Sequence, residues 1–90
     1  MKYRSRSDIV GLILESANGG GATKTKIMYK AFLSYAQLKE YLTVLLENGL
    51  LEYEDGMRSY RTTEKGIIRS LQIQSRMNGL VHINYITQNS

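Results

Sequence analysis

The apolar residues near the start of the chain recur every three or four positions, which predicts an amphipathic helix. Its apolar face consists of Ile9, Leu12, Ile13 and Ala17. Ser5 and Asp8 have the spacing of a capping box, in which the hydroxyl and the carboxylate each accept a hydrogen bond from a backbone amide. The run Asn18-Gly19-Gly20-Gly21 ends the pattern, because glycine readily adopts the left-handed conformation that closes many helices.

Two further helices are predicted on either side of a short turn. The first of them begins at Thr23 or Thr25, unless Ala22 and Thr23 form a short strand ahead of it. The next spans about residues 35–48, with Ser34 as its N-cap. The residues expected to face the core are Tyr35, Leu38, Tyr41, Leu42, Leu45 and Leu46. A turn of only a few residues between two such helices is typical of a helix-turn-helix.

After the third helix the pattern changes to the two-residue period of β-strands. The segments "LLEYE" and "RSYRT" flank Asp55-Gly56, a pair that favours a tight hairpin turn because both of its positions accept positive φ. Leu51 and Tyr53 are expected on the core face of the first strand. Thr62 or Thr63 would then cap a fourth helix.

The fourth helix has apolar residues on two sides. The side predicted to face the domain consists of Ile67, Ile68 and Leu71. The opposite side, which one domain would leave exposed, consists of Ile73, Met77 and Leu80. Two alternatives remain open for this second side. Either a second chain pairs with it, which makes a homodimer, or the C-terminal tail of the same chain covers it.

The composition is that of a single folded domain. Its apolar fraction of 42% and charged fraction of 22% are close to globular averages, and 90 residues suit one core. The domain is expected to cover residues 1–90, with a core over 5–62, a C-terminal helix over 63–78 and a tail over 79–90. The formal charge of +4 suits a polyanionic partner such as nucleic acid or an acidic membrane surface.

Three helices, a two-stranded hairpin and a fourth helix are the order of a winged helix-turn-helix, a mainly helical α+β fold. The segment "KTKIMYKAFLSYAQLKEYLTVLLENGLLE", followed by "YRTTEKG", also resembles small archaeal winged helix-turn-helix DNA-binding proteins. These include chromatin-associated proteins that dimerise through a C-terminal helix. The resemblance covers residues 5–71 and implies double-stranded DNA as the partner. The sequence departs from the family at Gly79, which interrupts the long final helix.

The winged-helix fold also indicates which residues contact DNA. In this fold the third helix enters the major groove, and the hairpin, called the wing, lies beside it along the backbone. The residues expected to reach base edges are Gln37, Lys39 and Thr43. The residues expected at phosphates are Lys24, Lys26, Lys30, Ser34, Arg58 and Arg61. Glu52 and Glu54 are expected away from the phosphates or paired with the arginines.

These assignments have alternatives. A solvated polar helix face and lysines that serve only solubility give the same pattern. A winged helix that binds proteins without DNA, or a protein that binds RNA, would use the same fold or the same basic surface. No catalytic or metal-binding constellation is recognisable, since there is no cysteine and His82 is the only histidine. We therefore expect no enzyme, no metal and no cofactor. No apolar run is long enough to span a membrane, and the expected location is cytoplasmic and nucleoid-associated.

Overall fold

The computed structural model describes residues 4–77 of the chain. Its elements are α1 (Arg6–Ser16), α2 (Lys24–Ala31), α3 (Tyr35–Glu47), β1 (Leu51–Glu54), β2 (Ser59–Thr62) and α4 (Glu64–Met77). The two strands pair antiparallel, with Leu51 opposite Thr62. Ala22 joins the hairpin through one bridge, in which it exchanges two backbone hydrogen bonds of 2.8 Å with Tyr60. The predicted fold, a mainly helical α+β winged helix, is therefore confirmed.

The predicted helix starts are confirmed by their hydrogen bonds. At α1, the Ser5 hydroxyl accepts from the Asp8 amide at 3.1 Å, and the Asp8 carboxylate accepts from the Ser5 amide at 3.0 Å. Thr23, not Thr25, caps α2, because its hydroxyl accepts from the Lys26 amide at 3.2 Å. The alternative strand ahead of α2 is reduced to the single bridge at Ala22.

The core lies between the first three helices and the inner face of the hairpin. Its largest fully buried side chains are Ile13, Leu14, Ile27 and Leu38. Burial contributes about 1.5–3 kcal/mol for each of them, so this cluster supplies much of the stability. The buried residues of α3 are Leu38, Leu42 and Leu45. This face is narrower than predicted, because Tyr35 and Leu46 are exposed and Tyr41 is only partly buried.

The turn of the hairpin differs from the predicted two-residue turn at Asp55-Gly56. Glu54 pairs with Ser59, so the loop between the strands holds four residues. The amide of Arg58 donates to the Asp55 carbonyl at 3.2 Å, and Arg58, not Gly56, has positive φ, at 50°. Loops of four residues are usually built on an ordinary type I turn. The Asp-Gly pair therefore lies in the wing without setting its turn type.

The segment that joins the hairpin to α4 also connects α1 and α3. Thr62 Oγ1 donates to a carbonyl of α1 at 2.6 Å, and Thr63 Oγ1 donates to the Gly49 carbonyl at the end of α3, also at 2.6 Å. Thr63 Oγ1 accepts from the Gly66 amide at 3.1 Å, as an N-cap does. A Cβ at Gly66 would clash with the Leu50 carbonyl oxygen. These contacts explain the motif "TTEKG" and fix the wing relative to α3.

The predicted orientation of α4 was wrong. Ile73 is only 5% exposed and packs against α1, where a Cβ at Gly11 would lie 3.2 Å from Ile73 Cγ2. Gly66 and Ser70 share this inner face with Ile73, and their small size lets the helix backbone approach its neighbours. A prediction from apolar periodicity misses this face, because glycine and serine are not scored as apolar residues. The residues that face solvent instead are Ile67, Ile68 and Leu71.

This orientation changes the predicted dimer stripe. Ile73 has little surface left for a second chain, because α1 already covers it. The side chain of Met77 and the whole of Leu80 lie outside the described residues, as does the predicted tail over 79–90.

Candidate nucleic-acid interface

The polar side of α3 has two edges that face different directions. At about 100° per residue, Lys39 and Thr43 lie about 40° apart on the side of Tyr35, whereas Gln37 lies about 160° from Lys39. Glu40 lies on the exposed surface between these two edges. We call the surface of Tyr35, Lys39 and Thr43 the Lys39 edge. The three predicted base contacts therefore do not share one surface, because Gln37 lies apart from the other two.

Gln37 has a structural role at the start of α3. Its Oε1 accepts from the Ser34 amide at 3.0 Å, while the Ser34 hydroxyl accepts from the Gln37 amide at 3.2 Å. The pair forms a capping box, which contributes about 0.5–2 kcal/mol to a helix. A bidentate contact to adenine uses both the amide oxygen and the amide nitrogen. Such a contact would compete with the cap for the Gln37 oxygen, although the Ser34 hydroxyl remains free to donate.

Tyr35, which was predicted to face the core, lies where α2 and α3 meet. It is the first residue of α3 and is 53% exposed. The Lys24 ammonium, from the first residue of α2, lies 5.5 Å from the centre of its ring, within cation–π range. Its position in the sequence could have indicated this exposure, because Tyr35 directly follows the N-cap and lies about one turn before Leu38, the first buried residue of α3. Lys24 therefore belongs to the same surface as the Lys39 edge.

The three predicted lysines of α2 do not form one surface. At about 100° per residue, Lys26 and Lys30 lie about 40° apart, and Lys24 lies at least about 120° from either. All three are exposed. Lys30 lines an open hollow together with Glu15 of α1, on the flank of α2 away from Lys24. Only Lys24 is therefore brought to the Lys39 edge by a contact that the structure shows.

The first turns of α2 and α3 contain no acidic residue. Those of α1 and α4 do, with Asp8 and Glu64, as is common because a carboxylate stabilises the positive end of the helix dipole. In the capping box of α3 the third position is the neutral Gln37, where α1 has Asp8. Neither first turn therefore adds a negative charge to the surface where α2 and α3 begin.

The outer face of the wing is acidic rather than basic. The Arg61 guanidinium contacts Glu52 at 2.6 Å and Glu54 at 2.8 Å. The hydrogen bond to Glu52, followed by the charge of Glu54, raises the pKa of Arg61 above its ordinary value. The three groups together carry one net negative charge, so Arg61 has little positive charge to offer to a phosphate. Its predicted contact to the DNA backbone stays a prediction.

Arg58, at the tip of the wing, has no such partner among residues 4–77. Its backbone is left-handed, with φ at 50°, a conformation that costs a residue with a Cβ about 1–2 kcal/mol. Met57 beside it is also exposed. The tip of the wing therefore presents a free guanidinium at a position where glycine or asparagine would be less strained.

Other kinds of site find no support in the part of the chain that the structure describes. Between residues 4 and 77, no three or more His, Asp or Glu side chains are placed to hold one metal ion. No helix in this range is long and apolar enough to cross a membrane.

The model of the winged helix-turn-helix family matches residues 3–80. The chain is similar in structure to Sso10a-2, a DNA-binding protein from Sulfolobus solfataricus, with a TM-score of 0.73 and 22% sequence identity. That match covers 96% of this chain and 92% of the other. Comparison with curated proteins gives no match. Because the family model covers most of the chain, the protein belongs to the winged helix-turn-helix family.

Proposed function

We propose that the protein binds double-stranded DNA through the Lys39 edge of α3, with Lys24 of α2 beside it. The observation that carries this proposal is the contact of Lys24 with the exposed Tyr35, which shares a face of α3 with Lys39, in a region where neither helix places a carboxylate in its first turn. A surface with two lysines, and with no acid in the first turn of either helix, suits phosphate groups. The similarity to Sso10a-2, which is described as a DNA-binding protein, supports the same conclusion.

In this arrangement the Lys39 edge enters the major groove. Lys39 and Thr43 are the groups that reach base edges. Lysine pairs with the acceptor atoms of guanine, and threonine is able to contact more than one type of base. Lys24 and Ser34 contact the phosphates at the rim of the groove. Gln37 would reach a base only by sharing the oxygen that caps α3, so we assign it a secondary part in recognition.

Further contacts come from the wing and from α2. Arg58 contacts a phosphate from the wing tip, because it is exposed and has no carboxylate partner among the described residues. Arg61 contributes less, because Glu52 and Glu54 neutralise it. Lys26 and Lys30 lie on a different side of α2 from Lys24, so they contact the DNA backbone only where the duplex extends past that helix.

A salt series with matched lysine variants tests this proposal. For wild type, the logarithm of the binding constant should fall linearly with the logarithm of salt concentration. Lys24→Gln should lower that slope by about 0.9, because Lys24 is placed at one phosphate, whereas Lys39→Gln should change affinity more than slope, because Lys39 is placed at a base edge. Lys30→Gln is the control, with a smaller effect. Equal losses for all three would contradict this placement of the duplex.

The same titration separates the two other functions that the fold allows. A winged helix that binds only proteins would show no duplex binding even at low salt. A protein specific for RNA would prefer an RNA duplex or single strand over DNA of the same sequence at equal salt. Preference for duplex DNA at every salt concentration is the result that our proposal requires.

We propose a role in transcription regulation, with architectural binding along chromosomal DNA as the second candidate, and in either case a cytoplasmic, nucleoid-associated location. Two base-reaching side chains on one edge, Lys39 and Thr43, support some sequence preference. Selection from random duplexes at moderate salt tests it. An enriched motif supports a regulator, and uniform recovery of sequences supports the architectural role.

We also propose that the protein forms a homodimer through α4. The proposed interface is the side of α4 that the structure leaves exposed, which differs from the side predicted from the sequence. Ile68 and Leu71 are 57% and 58% exposed, and Ile67 lies beside them. Burying these side chains between two copies would contribute about 1.5–3 kcal/mol for each large residue. A two-fold dimer buries the same face on both chains, and it would present two copies of α3 to one duplex.

Sedimentation tests the dimer with a matched pair of variants. Ile68→Glu with Leu71→Glu should yield a folded single chain, because both residues lie outside the core. Ile73→Ala is the control. It should lower the stability of the domain through a cavity against α1, without a direct effect on the association surface. A wild type that remains monomeric at high protein concentration would rule out the dimer.

A further inference from the structure

The contact between Lys24 and Tyr35 has no role in the core of the domain. Tyr35 is more than half exposed, and the Lys24 ammonium lies 5.5 Å from the centre of its ring. Tyr29 on α2 is more exposed still, at 81%, but no cation lies over its ring among the side chains described for residues 4–75. Tyr35 therefore differs from an ordinary surface tyrosine in having a specific cationic partner from another helix.

We propose that Tyr35 is a positioning residue for Lys24, holding its ammonium where a DNA phosphate binds. The inference rests on the proposed DNA binding and assigns a role to a residue that was predicted to face the core. A free lysine side chain loses considerable rotamer freedom when it contacts a phosphate. The ring restricts Lys24 before DNA arrives, so that part of this loss has already occurred in the free protein. Because the ammonium keeps its remaining hydrogens free, it is able to contact the ring and a phosphate at once.

The proposal makes different demands on the ring and on the hydroxyl of Tyr35. A cation–π contact depends on the aromatic face, which phenylalanine shares with tyrosine. Tyr35→Phe should therefore retain the affinity for DNA, whereas Tyr35→Leu should lose it by about two- to fivefold, a part of the cost of immobilising one long side chain. Leucine has a high helix propensity, so the loss should not come from a weakened α3.

A double-mutant cycle measured by fluorescence anisotropy on one duplex at low salt provides the test. Its members are wild type, Tyr35→Leu, Lys24→Met and the double variant, with Tyr29→Leu as the control and urea unfolding of each protein as a check on folding. We expect Tyr35→Leu to weaken binding in the wild-type background and to have no further effect once Lys24 is methionine. Tyr29→Leu should bind as wild type does.

The outcomes separate this inference from the proposed function. An equal loss from Tyr35→Leu in both backgrounds would show that Tyr35 acts independently of Lys24, and it would overturn the inference while leaving DNA binding intact. Wild-type affinity of Tyr35→Leu would overturn it in the same way, as would a loss in Tyr35→Phe equal to that in Tyr35→Leu. Absence of duplex binding by the wild type would instead reject the proposed function itself.

Discussion

Replacing Arg58 by glycine should stabilise the protein and weaken its DNA binding at the same time. The left-handed backbone at this residue, with φ at 50°, costs a residue with a Cβ about 1–2 kcal/mol. Glycine avoids that cost but has more conformational freedom to lose on folding, about 0.5–1 kcal/mol. The difference spans about 0–1.5 kcal/mol and is centred at ~0.7 kcal/mol, which corresponds to a rise in Tm of roughly 3–6 °C for a domain of this size.

The loss of the guanidinium acts in the opposite direction on binding. If Arg58 contacts one phosphate, its removal should lower the slope of binding against salt by about 0.9 and should weaken binding to all duplexes alike. Arg58→Ala separates the two effects, because alanine keeps the strained Cβ and removes the charge. It should bind DNA as weakly as the glycine variant without being stabilised. Arg58→Lys should match wild type in both respects.

Thermal unfolding and a salt series of DNA titrations measure both effects on the same four proteins. Phe32→Gly gives an independent test of the strain argument, because Phe32 also has positive φ, at 54°, and is exposed. An alanine variant of Arg58 as stable as the glycine variant would show that the backbone is not strained there. Unchanged salt slopes in the glycine and alanine variants would show that the wing tip does not touch DNA.

Other substitutions test the packing that positions the interface. Gly66→Ala should destabilise the domain by several kcal/mol, since its Cβ would clash with backbone atoms at Leu50, and urea unfolding measures the loss; near-wild-type stability would mean that α4 docks differently. Ile73→Ala should cost about 2–5 kcal/mol while Ile68→Ala changes the stability of the monomer little, and the reverse order would restore the orientation first predicted for α4. Gln37→Glu should keep the capping box, whereas Gln37→Ala should lower the stability of the domain by about 0.5–2 kcal/mol in thermal unfolding. Equal stability of the two variants would mean that the cap does not hold Gln37, which would leave its side chain free for DNA.

The sequence by itself determined the elements and their order. Helix starts depend on local hydrogen bonds between residues three positions apart, so the sequence predicted Ser5 and Ser34 as caps and left Thr23 and Thr25 as the two candidates for α2. Alternation of apolar and polar residues located the hairpin, because successive side chains of a strand point to opposite faces. The resemblance carried by "LSYAQLKEYL" and "TTEKG" led to the family, which the family model confirms. Neither kind of signal reports which side of an element meets a neighbour.

Only the tertiary structure decided how α4 and the hairpin turn are arranged. Ile73 is buried because Gly66 and Ser70 allow α4 to approach the rest of the domain, a consequence of backbone distance rather than of hydrophobicity. The register that pairs Glu54 with Ser59 lengthened the predicted turn and moved positive φ to Arg58.

The same limit applies to the candidate interface. The sequence located the lysines and arginines, but whether each is able to contact a phosphate depends on neighbours from other elements. Arg61 is neutralised by two residues of the opposite strand, whereas Lys24 is held by an aromatic ring at the start of a different helix. Sequence spacing within a helix fixes which residues share its faces. Contacts between elements depend on how the chain packs, because they join residues that are distant in sequence.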